Sequence, residues 1–500
     1  MPLGSRVLRK GSKQESEYPT SNRDDPNEHE EPAEKDEGTQ VPVHLTTYWI
    51  RLVSRLRAEL DNELRPGRLL EVQVLTLALD DVSHPLQQVH QLVRVHRHRG
   101  FSEEIAIAVF DVHGGILPHM PADLRLLDDD QRALVGLVRE FCLGEVAGSV
   151  DDYEKRSQDP AALYAKLAEL GLAGLPFPEE YGGGGQTYSS YLLAIEELAS
   201  HHLSLAIGVS VHTLCAFAVN EFGTDAQRKE VLGKLATGEW FGAYSLSESG
   251  SGSDAAALST KAVRADGSYL LNGGKLWCTR GNEADVVLMM ARTGDAGAKG
   301  ISAFLVTKGT DGFAGAKKED KMGWRASPTW QLTLDDVAIP ETRRLGEEGM
   351  GFRIAMASLD SGRLGIAACG IGLAQAALDA ALDFTSEREQ FGRPVNANQG
   401  LQFMLADMST QIEAGRRLYR HAAALRDAGE DYGMQAAQAK LFCTDTAMRV
   451  AIDAVQLHGG YGYVTEYPAE RFMRDAKGLQ IVEGTNQIQR YVIGRRLTKP

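Results

Sequence analysis

Cysteine is scarce in this sequence. Five among 500 residues (Cys142, Cys215, Cys278, Cys369 and Cys443) are scattered, without a CxxC pair or a Cys/His cluster. A disulfide framework and a structural zinc site are therefore not expected, and a reducing cytoplasm is the default location. Positive charge is also short: 53 Lys+Arg face 68 Asp+Glu, a net charge of −15. That sign argues against nucleic acid and against docking on anionic lipid. No apolar run reaches the ~18 residues of a membrane span; even the stretch from Leu364 is cut by Gln375 and Asp379. What is present is ordinary for a globular chain, 43% hydrophobic and 24% charged, at a length that predicts roughly three domains.

The acidity is concentrated at one end. Residues 11–42 hold ten acidic and three basic residues and few apolar ones. Such a segment cannot bury enough apolar surface to offset its ordering entropy, so 1–42 reads as a disordered acidic tail. It has neither the apolar core of a secretory signal nor the acid-poor composition of a transit peptide. Residues 43–119 form an extension of unknown role. Trp49, Leu52, Leu56, Leu60 and Leu64 recur at helical spacing; Leu70–Leu79 predicts a strand, Leu86–Val95 a helix and Ile105–Phe110 a strand. The run Arg94, His96, Arg97, His98, Arg99 is read as a solvated helix face rather than a phosphate or metal site. Two readings of this extension stand: a small α/β unit, or a misassigned start, since Met120 opens a stretch that reads like a natural one.

Three blocks follow. Residues 120–239 are helical, with a first stripe at Leu134, Leu137, Val138 and Phe141 and helices around Leu163–Leu170, Tyr188–Ala199 and Ala226–Leu235. Residues 240–346 switch to period two, with alternating stretches at 258–264, 268–272, 285–291, 301–306 and 329–333. Turn signals stand at Asp266-Gly267 and Asn272-Gly273. Residues 347–500 return to helices at about 349–386, 397–427, 432–458 and 486–497, with an Ala-rich seam (Ala374, Ala377, Leu378, Leu382) for close packing. The fold class is α+β multidomain: a helical domain, a small β-barrel or sandwich, and a C-terminal four-helix bundle.

Five stretches are candidates for chemistry. The Gly-rich Tyr181–Gly185 lacks the Lys-Ser/Thr of a P-loop and reads as a flexible turn between helices. Tyr244–Asp254 has a GxGxx spacing but leads into another strand, so a Rossmann turn fails. It is either a plain hairpin loop or a loop whose N–H groups and hydroxyls meet a planar or phosphorylated ligand. Lys275–Thr279 offers an aromatic and a hydroxyl on one strand face, suited to a flavin ring or to a half-buried core Trp. Arg388–Gly392 ends a long helix with a cation and an aromatic, either a helix stop or an Arg held out for a pyrophosphate. Glu483 precedes Gly484, with Thr485 or Asn486 placed to cap the last helix. It is either a surface Glu favoured by the helix dipole or, between apolar walls, a general base.

Taken in order, the pieces AYSLSESGSGSD, LNGGKLWCTRG, KGISAFLV, KKEDKMG, GEEGMGFRIAMASLDSGRLGIA, REQFGRPV, LQFMLADM, QLHGGYGYVTEYPAERFMRDA and VEGTNQIQR resemble the acyl-CoA dehydrogenase family, nearest its short-chain branch. The resemblance runs from about Leu124 to Leu497 and leaves residues 1–119 unexplained. It implies an FAD-binding homotetramer of fatty acid β-oxidation that converts an acyl-CoA to the trans-2-enoyl-CoA and passes electrons to an electron-transferring flavoprotein. Glu483 matches the base that takes the α-proton while hydride goes to flavin N5. Around the flavin the resemblance puts Tyr244, Leu246, Ser247, Ser253, Trp277, Cys278, Thr279, Gln456, Gly459, Gly460, Thr485 and Gln487. Arg388, Gln390, Phe391 and Gln399 would reach the FAD of a neighbouring subunit. Ser253, Asp360, Arg363 and Gly484 would hold substrate, and no metal is implied. Some relatives carry the base on the helix bearing Ser361-Gly362-Arg363; Ser and Gly cannot serve. Val482 replaces a frequent Tyr, which weakens any inference of chain length and leaves room for branching. Ser249 replaces a frequent Pro in the flavin loop. The alternatives are a flavin oxidase or monooxygenase on the same scaffold, and a non-catalytic acyl-CoA-binding homologue.

Overall fold

The computed structural model describes residues 70–76, 89–97, 108–112 and 127–498. The acidic tail, the Trp49–Leu64 stripe and Met120 lie outside them. The chain divides into two units, Met1–Gly114 and Gly115–Pro500.

In the first unit β1 (Leu70–Thr76), β2 (Val89–Arg97) and β3 (Ala108–Val112) form an antiparallel meander in chain order. The helix expected at Leu86–Val95 is thus a strand over its described part, from Val89 onward. Its β-branched Val93 and Val95 pair with Val74 and Val72, and cross-strand pairing outweighs a short helical spacing. Arg94, His96 and Arg97 consequently sit on β2, not on a helix face.

The second unit begins with α1 (Asp129–Phe141). Asp128 caps it by accepting from the Gln131 N–H at 2.8 Å, and Gln131 reaches back to the Asp128 amide. Its buried stripe is Val135, Val138 and Phe141, and Leu137 is left exposed, a rotation from the expected face. Then come α2 (Val150–Arg156), α3 (Ala161–Glu169), α4 (Tyr188–His201, capped by Thr187) and α5 (Leu203–Phe222). The helix expected at Ala226–Leu235 is broken by a wide π-helical turn at Arg228–Leu232. The Tyr181–Gly185 stretch is a turn, with the Gly183, Gly184 and Gly185 amides donating to the Pro178, Gly174 and Phe177 carbonyls. Those amides are spent inside the protein and cannot cradle a phosphate.

The β domain comprises β4 (Gly242–Ser245), β5 (Lys261–Ala265), β6 (Ser268–Thr279), β7 (Val286–Arg292), β8 (Ile301–Thr307), β9 (Phe313–Lys318), β10 (Thr329–Pro340) and β11 (Arg344–Leu345). The order is β11-β8-β7-β5-β6-β10-β9, with β4 parallel to β7. β7 and β8 are buried on both faces. One face of this pair (Val286, Leu288, Met290, Ile301, Leu305) packs with α5 and Ile354, and the other (Val287, Met289, Phe304) with Tyr269, Leu271 and Leu332. Asp266-Gly267 makes the expected β5–β6 turn, both residues at positive φ. Asn272-Gly273 does not turn; it lies inside β6. Gly273 has φ +149° beside a register shift in β10, and a Cβ there would come within 2.6 Å of Thr260.

The C-terminal helices are α6 (Gly351–Glu387), α7 (Gln399–Asp427), α8 (Gly433–His458), α9 (Ala469–Leu479) and α10 (Asn486–Leu497). Four match the expected spans closely, and α9 is additional. Ala374 and Ala377 are fully buried. Arg416 of α7 meets Glu196 of α4 at 2.7 Å in the interior. Two helices correct the expectation about apolar runs. α5 and α6 are long and apolar enough to cross a membrane, with mean hydropathies of 1.7 and 1.5, yet 94% and 78% of those windows are buried within the protein. They are core helices, whose Ser, Thr and His residues interrupt the apolar run without lowering its average much.

Candidate active site

The link between α9 and α10 turns sharply. The Gly478 carbonyl accepts from Ile481 and Val482 N–H, Asn486 N–H donates to the Gln480 carbonyl, and Thr485 caps α10 through the Ile488 amide. Between them Glu483 (φ +53°) and Gly484 (φ +89°) are both left-handed. For glutamate that conformation costs on the order of 1–3 kcal/mol and persists only where its surroundings hold it. Here they do: Gln489 Nε2 donates to the Glu483 and Gly484 carbonyls at 3.1 and 2.8 Å, and Lys440 Nζ donates to Gly484 at 3.0 Å.

The carboxyl of Glu483 points toward α6. Its Oε2 is buried and has no hydrogen-bond partner among the described residues, although the residue as a whole is partly exposed. Burial pushes its pKa up to about 8, with Arg363 and Lys440 opposing. The space it occupies exists because residue 362 is glycine. A Cβ there would lie 2.3 Å from Oε2 and 2.5 Å from Leu214 Cδ2 of α5. Gly362→Ala is therefore expected to displace the carboxyl and lower kcat by up to about 10²-fold with the fold retained; wild-type kinetics would show that the carboxyl does not depend on this gap.

Around it, Tyr188 of α4 donates to the Ser361 carbonyl at 2.9 Å beneath the Arg426 guanidinium, and Tyr244 of β4 donates to the Ala355 carbonyl at 3.3 Å. Burial raises both phenols, and Glu483 adds to each. Arg363 is buried, ion-paired to Asp360, with its Nε 3.5 Å from the Glu483 carbonyl. Asp360, Arg363, Glu483, Gly484 and Thr485 are thus brought together. Gln487 is exposed on the first turn of α10. The Glu483 amide makes no hydrogen bond to any described residue.

A second group surrounds the end of β4. Leu246 is buried, the Ser247 carbonyl accepts from the Leu276 N–H at 2.8 Å, and Glu248 and Ser251 exchange backbone bonds in a tight turn that leaves Ser253 exposed. This turn is anchored by two residues that pattern reading misses. Glu248 accepts from Lys275 Nζ at 2.7 Å and from the Ser259 and Thr260 amides; Lys275 is fully buried. The available signal is Lys275 itself, a lysine at a core-phase position of β6 two steps of alternation beyond Leu271. Trp277 is not a core residue. It is 60% exposed with φ +61°, and this left-handed residue resets the strand's phase so that Cys278 goes inside. Thr279 is half-buried at the strand's end, and Ser245 Oγ is buried without a partner among the described residues.

A third group lies apart. Arg388, Gln390, Gln399, Gln456, Gly459 and Gly460 are exposed, and Phe391 is 97% exposed at the tip of a hairpin. The Arg388 guanidinium sits 5.5 Å over the Tyr461 ring. Twenty-five residues of α6 separate Arg388 from Arg363, about 37 Å at 1.5 Å per residue, so this chain does not bring the third group to Glu483.

Matching family models cover most of the second unit: acyl-CoA dehydrogenase N-terminal domain over residues 128–239, middle domain over 243–337 and C-terminal domain over 349–498. An acyl-CoA dehydrogenase of Bacillus subtilis is 47% identical over 365 residues, 72% of this chain and 96% of the relative. Butyryl-CoA dehydrogenase from Megasphaera elsdenii superimposes with a TM-score of 0.74 at 43% identity, covering 75% of this chain and 99% of that one. A chain from the structure of the electron transferring flavoprotein of Acidaminococcus fermentans does so with a TM-score of 0.74 at 45% identity and the same coverage.

Proposed function

The chain belongs to the acyl-CoA dehydrogenase family, oxidoreductases acting on a CH–CH group, and we propose that it desaturates a short or branched acyl-CoA to the trans-2-enoyl-CoA with Glu483 as base. The observation that carries this reading is the unpartnered Glu483 carboxyl, buried over Gly362 on a strained turn.

The residues fit an FAD. Trp277 offers an open aromatic face beside the 246–253 loop, and Ser245 Oγ is an orphaned polar atom next to it. Tyr244, Leu246, Ser247, Ser253, Trp277, Cys278 and Thr279 would hold the ring, with Thr485 and Gln487 from the α10 end. Arg388, Gln390, Phe391, Gln399, Gln456, Gly459 and Gly460 would hold the FAD of a neighbouring subunit; their distance from Glu483 along α6 supports that division between subunits, and the assembly proposed is a homotetramer. When bound, FAD supplies the acceptor for the β-hydride. Ser253, Asp360, Arg363 and Gly484 would position the thioester. Glu483 then takes the α-proton, and its free amide faces the charge that develops on the thioester oxygen. Tyr188, Tyr244 and Leu214 would keep water from the carboxyl, which brings its pKa toward working pH. An electron-transferring flavoprotein as acceptor and a cytoplasmic location complete the proposal.

Anaerobic titration of the holoprotein with straight and branched acyl-CoAs of rising length tests it: one or more should bleach the flavin, and failure of all would overturn the assignment. Reoxidation by air should be slow; fast reoxidation would point to an oxidase. The rate of bleaching should rise with pH through about 8, where Glu483 ionises, and a flat profile across that range would remove Glu483 as base. Stability should run the other way. A carboxyl raised from 4.5 to about 8 favours the folded state fully below pH 4.5, and this contribution is lost as pH climbs to about 8.

A further inference from the structure

Lys440 is the eighth residue of α8 and has no exposed surface, and the proposed reaction gives it no role. An ammonium group taken out of water is costly unless partners replace the solvent. Its partners all belong to the segment that carries Glu483. Nζ donates at 3.0 Å to the Gly484 carbonyl and at 2.8 Å to Asn486 Oδ1. Asn486 is itself fixed by Thr444 Oγ1 at 2.9 Å and Asp445 Oδ1 at 2.7 Å, both from α8. One buried cation therefore ties α8 to the carbonyl following the base and to the first residue of α10.

We propose that Lys440 is a positioning residue for the base: by holding the Gly484 carbonyl and Asn486, it keeps the Glu483–Gly484 turn left-handed and the carboxyl seated over Gly362. The inference rests on Glu483 being the base. It extends to charge, because Lys440 favours the ionised carboxylate. The other groups that act on Glu483 are Arg363 and Cys369 on α6, Tyr188 on α4 beneath Arg426 of α7, and Tyr244 on β4, while Asp360 pairs with Arg363 and Asp445 of α8 acts on Lys440. Burial pushes the Lys440 amine down to about 7, with Glu483 opposing, so amine and carboxyl titrate over neighbouring ranges and influence one another.

Two variants separate the roles. Lys440→Met removes both the hydrogen bonds and the charge; Lys440→Gln keeps an N–H donor and removes the charge. In the holoprotein both should move the acid limb of the flavin-reduction profile upward, by less than one pH unit because an amine at about 7 is largely neutral where the carboxyl ionises. The plateau rate should fall by up to about 10²-fold in the Met variant and less in the Gln variant, with KM little changed. An infrared titration of the Glu483 carboxylic-acid band, identified by its loss in Glu483→Gln, should shift upward in the same way without any turnover. If both variants keep the wild-type limb, plateau and band, the positioning role is wrong although the base assignment survives. If neither accumulates as folded holoprotein, Lys440 is a packing residue and the inference falls. If Glu483→Gln still bleaches with acyl-CoA, the base assignment fails and takes this inference with it.

Discussion

Glu483→Gln should fold, retain its flavin and lose reduction by acyl-CoA. A general base contributes roughly 10²–10⁴-fold, or about 3–5 kcal/mol of barrier. Gln keeps the volume of the side chain, so the gap over Gly362 stays filled. It also removes an ionisable group that is buried without a hydrogen bond on Oε2. The variant should therefore melt higher than wild type above about pH 8, where the wild-type carboxyl must carry its charge. Stopped-flow flavin reduction and thermal denaturation read the two effects separately. Near-normal reduction would place the base elsewhere, and a lower melting temperature at high pH would mean that the carboxylate is a structural anion.

Glu248→Ala should destabilise the fold more than Gly362→Ala or Glu483→Gln. It leaves the Lys275 ammonium fully buried with the Leu246 carbonyl, at 3.2 Å, as its remaining partner. Removing one member of a buried ion pair costs about 3–5 kcal/mol, and the released loop is the one assigned to the flavin. Urea denaturation midpoint and flavin content should fall together. Replacing both partners, Glu248→Leu with Lys275→Met, should recover much of the loss, because an apolar pair strands no charge. A stable Glu248→Ala with full flavin would show the pair to be dispensable. The pH dependence has a defined sign. Burial alone would lift Glu248, but Lys275 and the Ser259 and Thr260 donors outweigh it and hold the carboxyl at about 2, against an ordinary 4.5. The stabilisation is present above pH 4.5 and is lost as pH falls toward 2.

The alternation of helical and strand blocks is legible in the sequence because most helices expose one face and most strands of the β domain alternate. Legibility fails where elements are enclosed on all sides. α5 is buried almost throughout, so it has no apolar stripe to detect; β7 and β8, although covered on both faces, still fall on the expected 285–291 and 301–306 because they are short apolar runs bounded by turns. Leu86–Val95 misleads because its local spacing is helical, while the valine pairing that makes it a strand exists only once a partner strand is in place. At the site, the residues around Glu483 support a surface group and a base equally; the family resemblance singles it out. Lys440, Lys275 and Glu248 escape notice because a buried charged side chain looks in sequence like a solvated one. Trp277 defeats the pattern because a single left-handed residue inverts the phase of a strand, and side-chain alternation does not reveal φ.

The missing carbon at position 362 also constrains where the acid can stand. A larger residue there and a glutamate at 483 compete for the same volume, so a side chain added at 362 displaces the one at 483. A carboxylate moved onto α6 at position 362 would reach into the space the Glu483 carboxyl now fills, so the two placements of the acid exclude each other in one pocket.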